Sequence, residues 1–125
     1  MHENDISYLI RKAAFEIHST LGPGMLESVY ETLMVHELKK EGLDVKTQLS
    51  LPIVYDSLVL NNAYRIDMLV ENKVIVELKS VENILEVHHK QLLTYLKLTG
   101  HKLGLLINFK VPSIKEGIYR KVNGL

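Results

Sequence analysis

The sequence predicts an α/β (α+β) fold, a mixed central β-sheet flanked by helices within one domain, 1–125. Two apolar patterns at helical spacing open the chain. A long middle stretch alternates apolar and polar residues as strands do. A third helical pattern then leads into a short continuous apolar run, the mark of a strand buried on both faces. The order is α-α-β-β-β-α-β, with one more β available at the C-terminus.

Ile6, Leu9, Ile10, Ala13 and Ile17 predict a first helix over roughly 5–20, with Asn4 or Asp5 as its cap. Leu21-Gly22-Pro23-Gly24 must turn the chain. A second helix is expected over about 25–41, with Leu26, Val29, Tyr30, Leu33 and Leu38 apolar and Gly42 as its stop. Val45, Thr47, Leu49, Leu51, Ile53 and Tyr55 alternate with polar residues, predicting one long strand with one buried face; Pro52 suits an edge or a bulge. Asp56-Ser57 turns, Leu58-Val59-Leu60 extends the hairpin, and Asn61-Asn62 turns again. A third helix over about 85–98 packs Leu85, Leu92, Leu93 and Leu96 inward and ends at Gly100. Leu103 to Phe109 then forms a strand reached by a helical crossover, hence parallel to the strand ending at Lys79. Ile118 to Val122 can add an edge strand.

With 46% hydrophobic and 24% charged residues, the composition is that of a globular protein. No cysteine is present, so disulfides and thiolate metal sites are excluded, and a cytoplasmic location is the expectation. No apolar run approaches a membrane span, and no membrane partner is expected. The net charge is zero, which by itself does not indicate a nucleic-acid binder. Its distribution is uneven: residues 1–85 carry eight Lys and Arg against thirteen Asp and Glu, and residues 86–125 carry seven against two. That asymmetry permits a basic surface for an anionic partner.

Tyr64 to Lys79 organises the rest. It reads as two strands joined by a polar turn at Glu71-Asn72-Lys73. Ile66, Met68 and Val70 line one face of the first, and Val74, Val76 and Leu78 one face of the second. These faces coincide only if Val70 opposes Val74, Met68 opposes Val76 and Ile66 opposes Leu78. That register implies an odd-length loop, such as a three-residue turn with a bulge, Asn72 being suited to a left-handed conformation. It also places Asp67 opposite Glu77 and Arg65 opposite Lys79. Directly opposed carboxylates, with β-carbons about 5 Å apart, repel unless a cation is shared.

Asp67, nine residues, then Glu77-Leu78-Lys79 resembles the core signature of the PD-(D/E)XK nuclease superfamily. Gly24-x-x-Glu27-x-x-Tyr30 resembles the small bacterial and archaeal GxxExxY family within it, and the likeness runs from the first helix through Phe109. Gln91-Leu-Leu-Thr-Tyr95 matches the Gln-x-x-x-Tyr motif of RecB-like members. The resemblance implies a restriction-endonuclease-like core and a Mg2+- or Mn2+-dependent nuclease acting on DNA or RNA. On that basis Asp67, Glu77, the Leu78 carbonyl and Glu27 are the metal-ligand candidates. Lys79 would orient water or stabilise transition-state charge. Gln91, Tyr95, Tyr30 and Arg65 are the substrate-contact candidates.

Plainer readings stand beside these. Asp67, Glu77 and Lys79 could be a cross-strand ion set on a solvated face. Glu27, at N3 after a Gly24 cap, could serve the helix dipole. Tyr30 could be core, and Gln91 with Tyr95 a polar helix face plus a half-buried ring. Adjacent His88 and His89 point about 100° apart on a helix and make poor zinc co-ligands. His18, before a turn, could approach the site. As to function, the alternative to a nuclease is a catalytically silent binding or assembly module, with a nucleotide-handling enzyme acting on small phosphorylated substrates behind it. A core without a recognition domain suggests a homodimer or a partner protein.

Overall fold

The computed structural model describes residues 1–125. Its first helix, α1 (Glu3–Leu21), is capped two to three residues earlier than expected: His2 Nδ1 accepts from Asn4 N, and Asp5 Oδ2 accepts from His2 N. Helix α2 (Glu27–Lys40) starts after Leu26, not Gly24, so Glu27 is its first residue and not N3. Its core face is Tyr30, Met34 and Leu38; Leu26 is 73% exposed. No helix is long and apolar enough to cross a membrane.

Strands β1 (Val45–Tyr55), β2 (Leu58–Val70), β3 (Val74–Lys79), β4 (Leu103–Asn108) and β5 (Ile118–Val122) form one mixed sheet in the order β1-β2-β3-β4-β5. Only β3 and β4 run parallel, and α3 (Glu86–Thr99) makes the crossover between them. This is the predicted α+β class. α1 and α2 cover one sheet face over the main core of 20 residues, and α3 covers the other over seven. At Gly104 on β4 an added Cβ would lie 2.8 Å from Leu92, so α3 packs there only because the strand has no side chain. The expected Leu85 contact is absent, since Leu85 precedes α3 and is 55% exposed.

The β2–β3 register is the one the apolar pattern demanded as far as the ladder runs, Met68 opposing Val76 and Val70 opposing Val74. The expected Ile66–Leu78 and Asp67–Glu77 rungs do not form, and Ile66 and Leu78 lie in different cores because β2 changes face at Asp67. Glu71 and Asn72 turn the chain with φ of 53° and 54°, and Lys73 N donates to Val70 O at 3.0 Å. Two expectations fail further along β2. Asn61-Asn62 is no turn; the strand continues through it, with Asn62 at φ 56° opposite the register shift around Pro52. Nor does one face run the length of the hairpin. Val45, Met68 and Val70 join the α1–α2 core, whereas Leu49, Leu51 and Ile66 pack with the α3 core. Both strands exchange faces at Gln48 and Asp67, the one unpaired position in an otherwise constant register from Val45 to Leu51.

Candidate functional site

Asp67 and Glu77 meet where the β2–β3 ladder stops. The last paired rung is Met68–Val76. Beyond it the carboxylates replace main-chain hydrogen bonds. Asp67 N donates to Glu77 Oε2 at 2.7 Å, and Leu78 N donates to Asp67 Oδ2 at 2.9 Å. Each acid therefore ties down the other's strand with one oxygen and leaves its second oxygen without a protein partner. Neither second oxygen is a buried orphan, so both reach solvent.

Glu77 is only 5% exposed. Burial, then the neighbouring Asp67 charge, pushes its carboxyl up to about 8, against the partial pull of Lys79 downward. Lys79 forms no ion pair with either acid; the ion pairs of the molecule lie elsewhere. The two acids therefore sit side by side without a direct ion-pair partner, and the buried one holds its proton toward neutral pH.

Asp67 and Leu78 share a cleft of about 130 Å³ with Gln48 of β1 and with Glu27, Ser28 and Glu31 of α2. Glu27 is held beside the end of β3: its Oε2 lies 3.4 Å from Ser80 N, and Ser80 Oγ donates to Met25 O at 2.9 Å. A wider groove of about 550 Å³ adjoins, walled by Pro23 to Ser28, Ser80 and Lys110. On the other face of the sheet, Tyr95 stacks on Tyr64 with ring centroids 4.9 Å apart. Burial raises the Tyr95 hydroxyl, and the charges of Glu77 and Asp67 raise it further.

Other candidates fall away from this cleft. Tyr30 is fully buried: its ring stacks on Phe109 at 4.1 Å, and its hydroxyl donates to Gly22 O at 2.6 Å and accepts from Met25 N. It braces the Gly-Pro-Gly turn from within the core. Arg65 does not oppose Lys79, because the strands have parted; it pairs with Ser50 and is exposed. Gln91 is exposed, one turn before Tyr95. His18 bonds the Val111 carbonyl at 2.9 Å, His88 Nδ1 accepts from Leu85 N, and His89 packs edge-on against Tyr119.

Four residues at the site escaped the sequence reading. Glu31 follows Glu27 by one helical turn, a spacing that could have flagged it. Tyr64 gave no signal, and neither did Gln48, whose φ of 50° is invisible in a strand pattern. Asn108 is 2% exposed and stitches the β3 exit to β4: its Nδ2 donates to Val81 O, and its Oδ1 accepts from Val81 N.

The donor set suits a hard cation. Asp67, Glu77 and Leu78 offer oxygen ligands, with Glu27 across the cleft. No three carboxylates or imidazoles converge closely enough to chelate an ion by themselves, so Leu78 or water would complete a coordination sphere.

Among curated proteins, none is similar enough to this chain to count as a relative. A solved structure, that of the protein SSO0001, superposes with a TM-score of 0.58 at 22% identity, covering 96% of this chain and 62% of the other. The likeness is one of fold, and this chain spans under two thirds of that protein. The sequence profile of the PD-(D/E)XK nuclease superfamily matches residues 4–121, nearly the whole sheet and all three helices. The chain belongs to the PD-(D/E)XK nuclease superfamily.

Proposed function

We propose that this protein is a divalent-metal-dependent nuclease that hydrolyses phosphodiester bonds of DNA or RNA. The observation that carries the reading is the reciprocal engagement of Asp67 and Glu77. Each anchors the other's strand and keeps one oxygen free, and Glu77 is too buried, and too close to Asp67, to ionise readily without a cation. Asp67, Glu77 and the Leu78 carbonyl would hold Mg2+ or Mn2+, with Glu27 as a further ligand. Bound there, the cation polarises the phosphate and acidifies a water. Lys79, two residues beyond Glu77 and without an ion-pair partner, orients that water or meets the developing phosphate charge. Gln91 and Tyr95 position the nucleic acid in the role of the Gln-x-x-x-Tyr motif. The Gly24-x-x-Glu27-x-x-Tyr30 pattern supports the reading of the chain as a GxxExxY-type member. Tyr30 braces the loop that presents Glu27.

The test is cleavage of labelled single-stranded, duplex and branched DNA and of RNA, with Mn2+ or Mg2+, beside Glu77→Ala and Lys79→Ala. Wild-type cutting that each variant lowers by at least about a hundredfold supports the reading. Equal cutting by wild type and variants removes it. A second reading, a binding module without turnover, is favoured by the lack of three convergent ligands. Metal binding with no cleavage of any substrate would select it.

A further inference from the structure

Gln48 is the irregular residue closest to the acid pair. Five non-glycine residues have positive φ, and four of them lie at turns or at the Pro52 bulge: Asp56, Asn62, Glu71 and Asn72. Gln48 alone sits inside a strand where the register does not shift. A glutamine gains nothing locally from the left-handed region, so something outside the strand must hold it there. That hold is visible: Gln48 Nε2 donates to Glu31 Oε1 on α2 at 2.8 Å.

The partner position of Gln48 across the ladder is Asp67. Rungs form on either side, Thr47–Met68 and Leu49–Ile66, and fail between them. At this gap both strands exchange sheet faces. Met68 faces the α1–α2 core, while Ile66 and Leu69, three residues apart, both face the α3 core. Regular alternation could not place them so. Asp67 lies at the crossover, free of β1, with its carboxylate turned onto Leu78 N.

Resting on the nuclease reading above, we propose that Gln48 and Glu31 form a positioning clamp for Asp67. Glu31 grips the Gln48 carboxamide and holds β1 in its reversed turn. The reversal keeps the Gln48–Asp67 rung open, and the open rung lets the Asp67 carboxylate stand in the cleft beside Glu77. Glu31 acts through its acceptor oxygen and not through its charge, although it lines the same cleft as Glu27 and Asp67.

Three variants test this. Gln48→Gly accepts the left-handed φ without strain and deletes the grip, so the fold survives while the clamp does not. Glu31→Ala deletes the acceptor, and Glu31→Gln keeps an acceptor but removes the charge. The metal-free readout is the pair of amide resonances of Asp67 and Leu78, which report the two carboxylate bonds. The second readout is the Mn2+ dissociation constant by calorimetry. Gln48→Gly and Glu31→Ala should shift both resonances and weaken Mn2+ by about tenfold or more, while Glu31→Gln stays within about twofold of wild type. Unmoved resonances in Gln48→Gly and Glu31→Ala overturn the clamp. So does a Glu31→Gln as damaged as Glu31→Ala, which would make Glu31 a charge or a ligand. If wild type binds no Mn2+, the metal-site reading fails, yet the resonances still decide the clamp.

Discussion

Glu77 carries the sharpest consequence at the scale of a single residue. Its carboxyl sits near 8 in the folded chain, against an ordinary value of 4.5, because it is buried beside Asp67. In the window between those values the folded state keeps a proton that the unfolded chain has released. Stability from this group is therefore complete below about 4.5 and is lost as the pH rises through about 8. Without divalent cations, melting temperature followed from pH 5 to 8.5 should fall more steeply in wild type than in Glu77→Gln, which cannot ionise. Mn2+ should offset the fall in wild type only, since a cation favours the charged carboxylate that the variant lacks. Parallel curves for the two proteins would mean that Glu77 is not protonated in the folded state. Asp67 and Glu77 were readable as neighbours from the sequence because the rungs up to Met68–Val76 bring them to the same end of the ladder, although the rung expected between them does not form. The burial that sets their chemistry was not, because it comes from α3 and the neighbouring strands.

At the scale of elements, local rules were readable where one partner strand decides the outcome. The β2–β3 register followed from Met68, Val70, Val74 and Val76 alone, and the left-handed Asn72 followed from the register. The β1 strand misled for a physical reason. Helices cover both faces of this sheet, so apolar–polar alternation says that one side is buried without saying in which core. The face exchange at Gln48 leaves no trace in the pattern. The start of α2 misled differently: Gly24 looked like a cap, but Tyr30 holds Gly22 and Met25 in the turn, and the helix begins after Leu26. Leu26 offers no side-chain oxygen to the first free amides of the helix and gains little from burial at 73% exposure. Leu26→Ser should therefore stabilise the protein by about 1 kcal/mol, a rise of roughly 4 °C in melting temperature. An unchanged or lower value would mean that Leu26 packs against something in solution.

At the scale of the whole molecule, the β1–β2 hairpin reaches past the sheet that anchors it. β2 pairs with β3 only through Met68, Leu69 and Val70, so the outer ribbon has no third strand. Val54, Tyr55, Leu58, Val59 and Leu60 are each between 46% and 71% exposed, and none belongs to either core. Asp56 is the only charged residue between Lys46 and Arg65. Such a tip stabilises the domain little while presenting a contiguous apolar surface to water. Val54 and Val59 are direct cross-strand partners, so Val54→Lys with Val59→Glu replaces an apolar pair by an opposite-charge pair that the ladder tolerates. The double variant should melt within about 2 °C of wild type, because exposed substitutions change stability by only about 0.5 kcal/mol each. Its solubility should rise, since the apolar surface of the tip is broken. Any metal-dependent cleavage should be unchanged, because the tip lies beyond the Pro52 bulge while the acids sit at the face exchange. A loss of several degrees would show that the tip is packed against the body of the protein. A loss of cleavage at unchanged stability would instead make the ribbon part of the surface that meets the substrate.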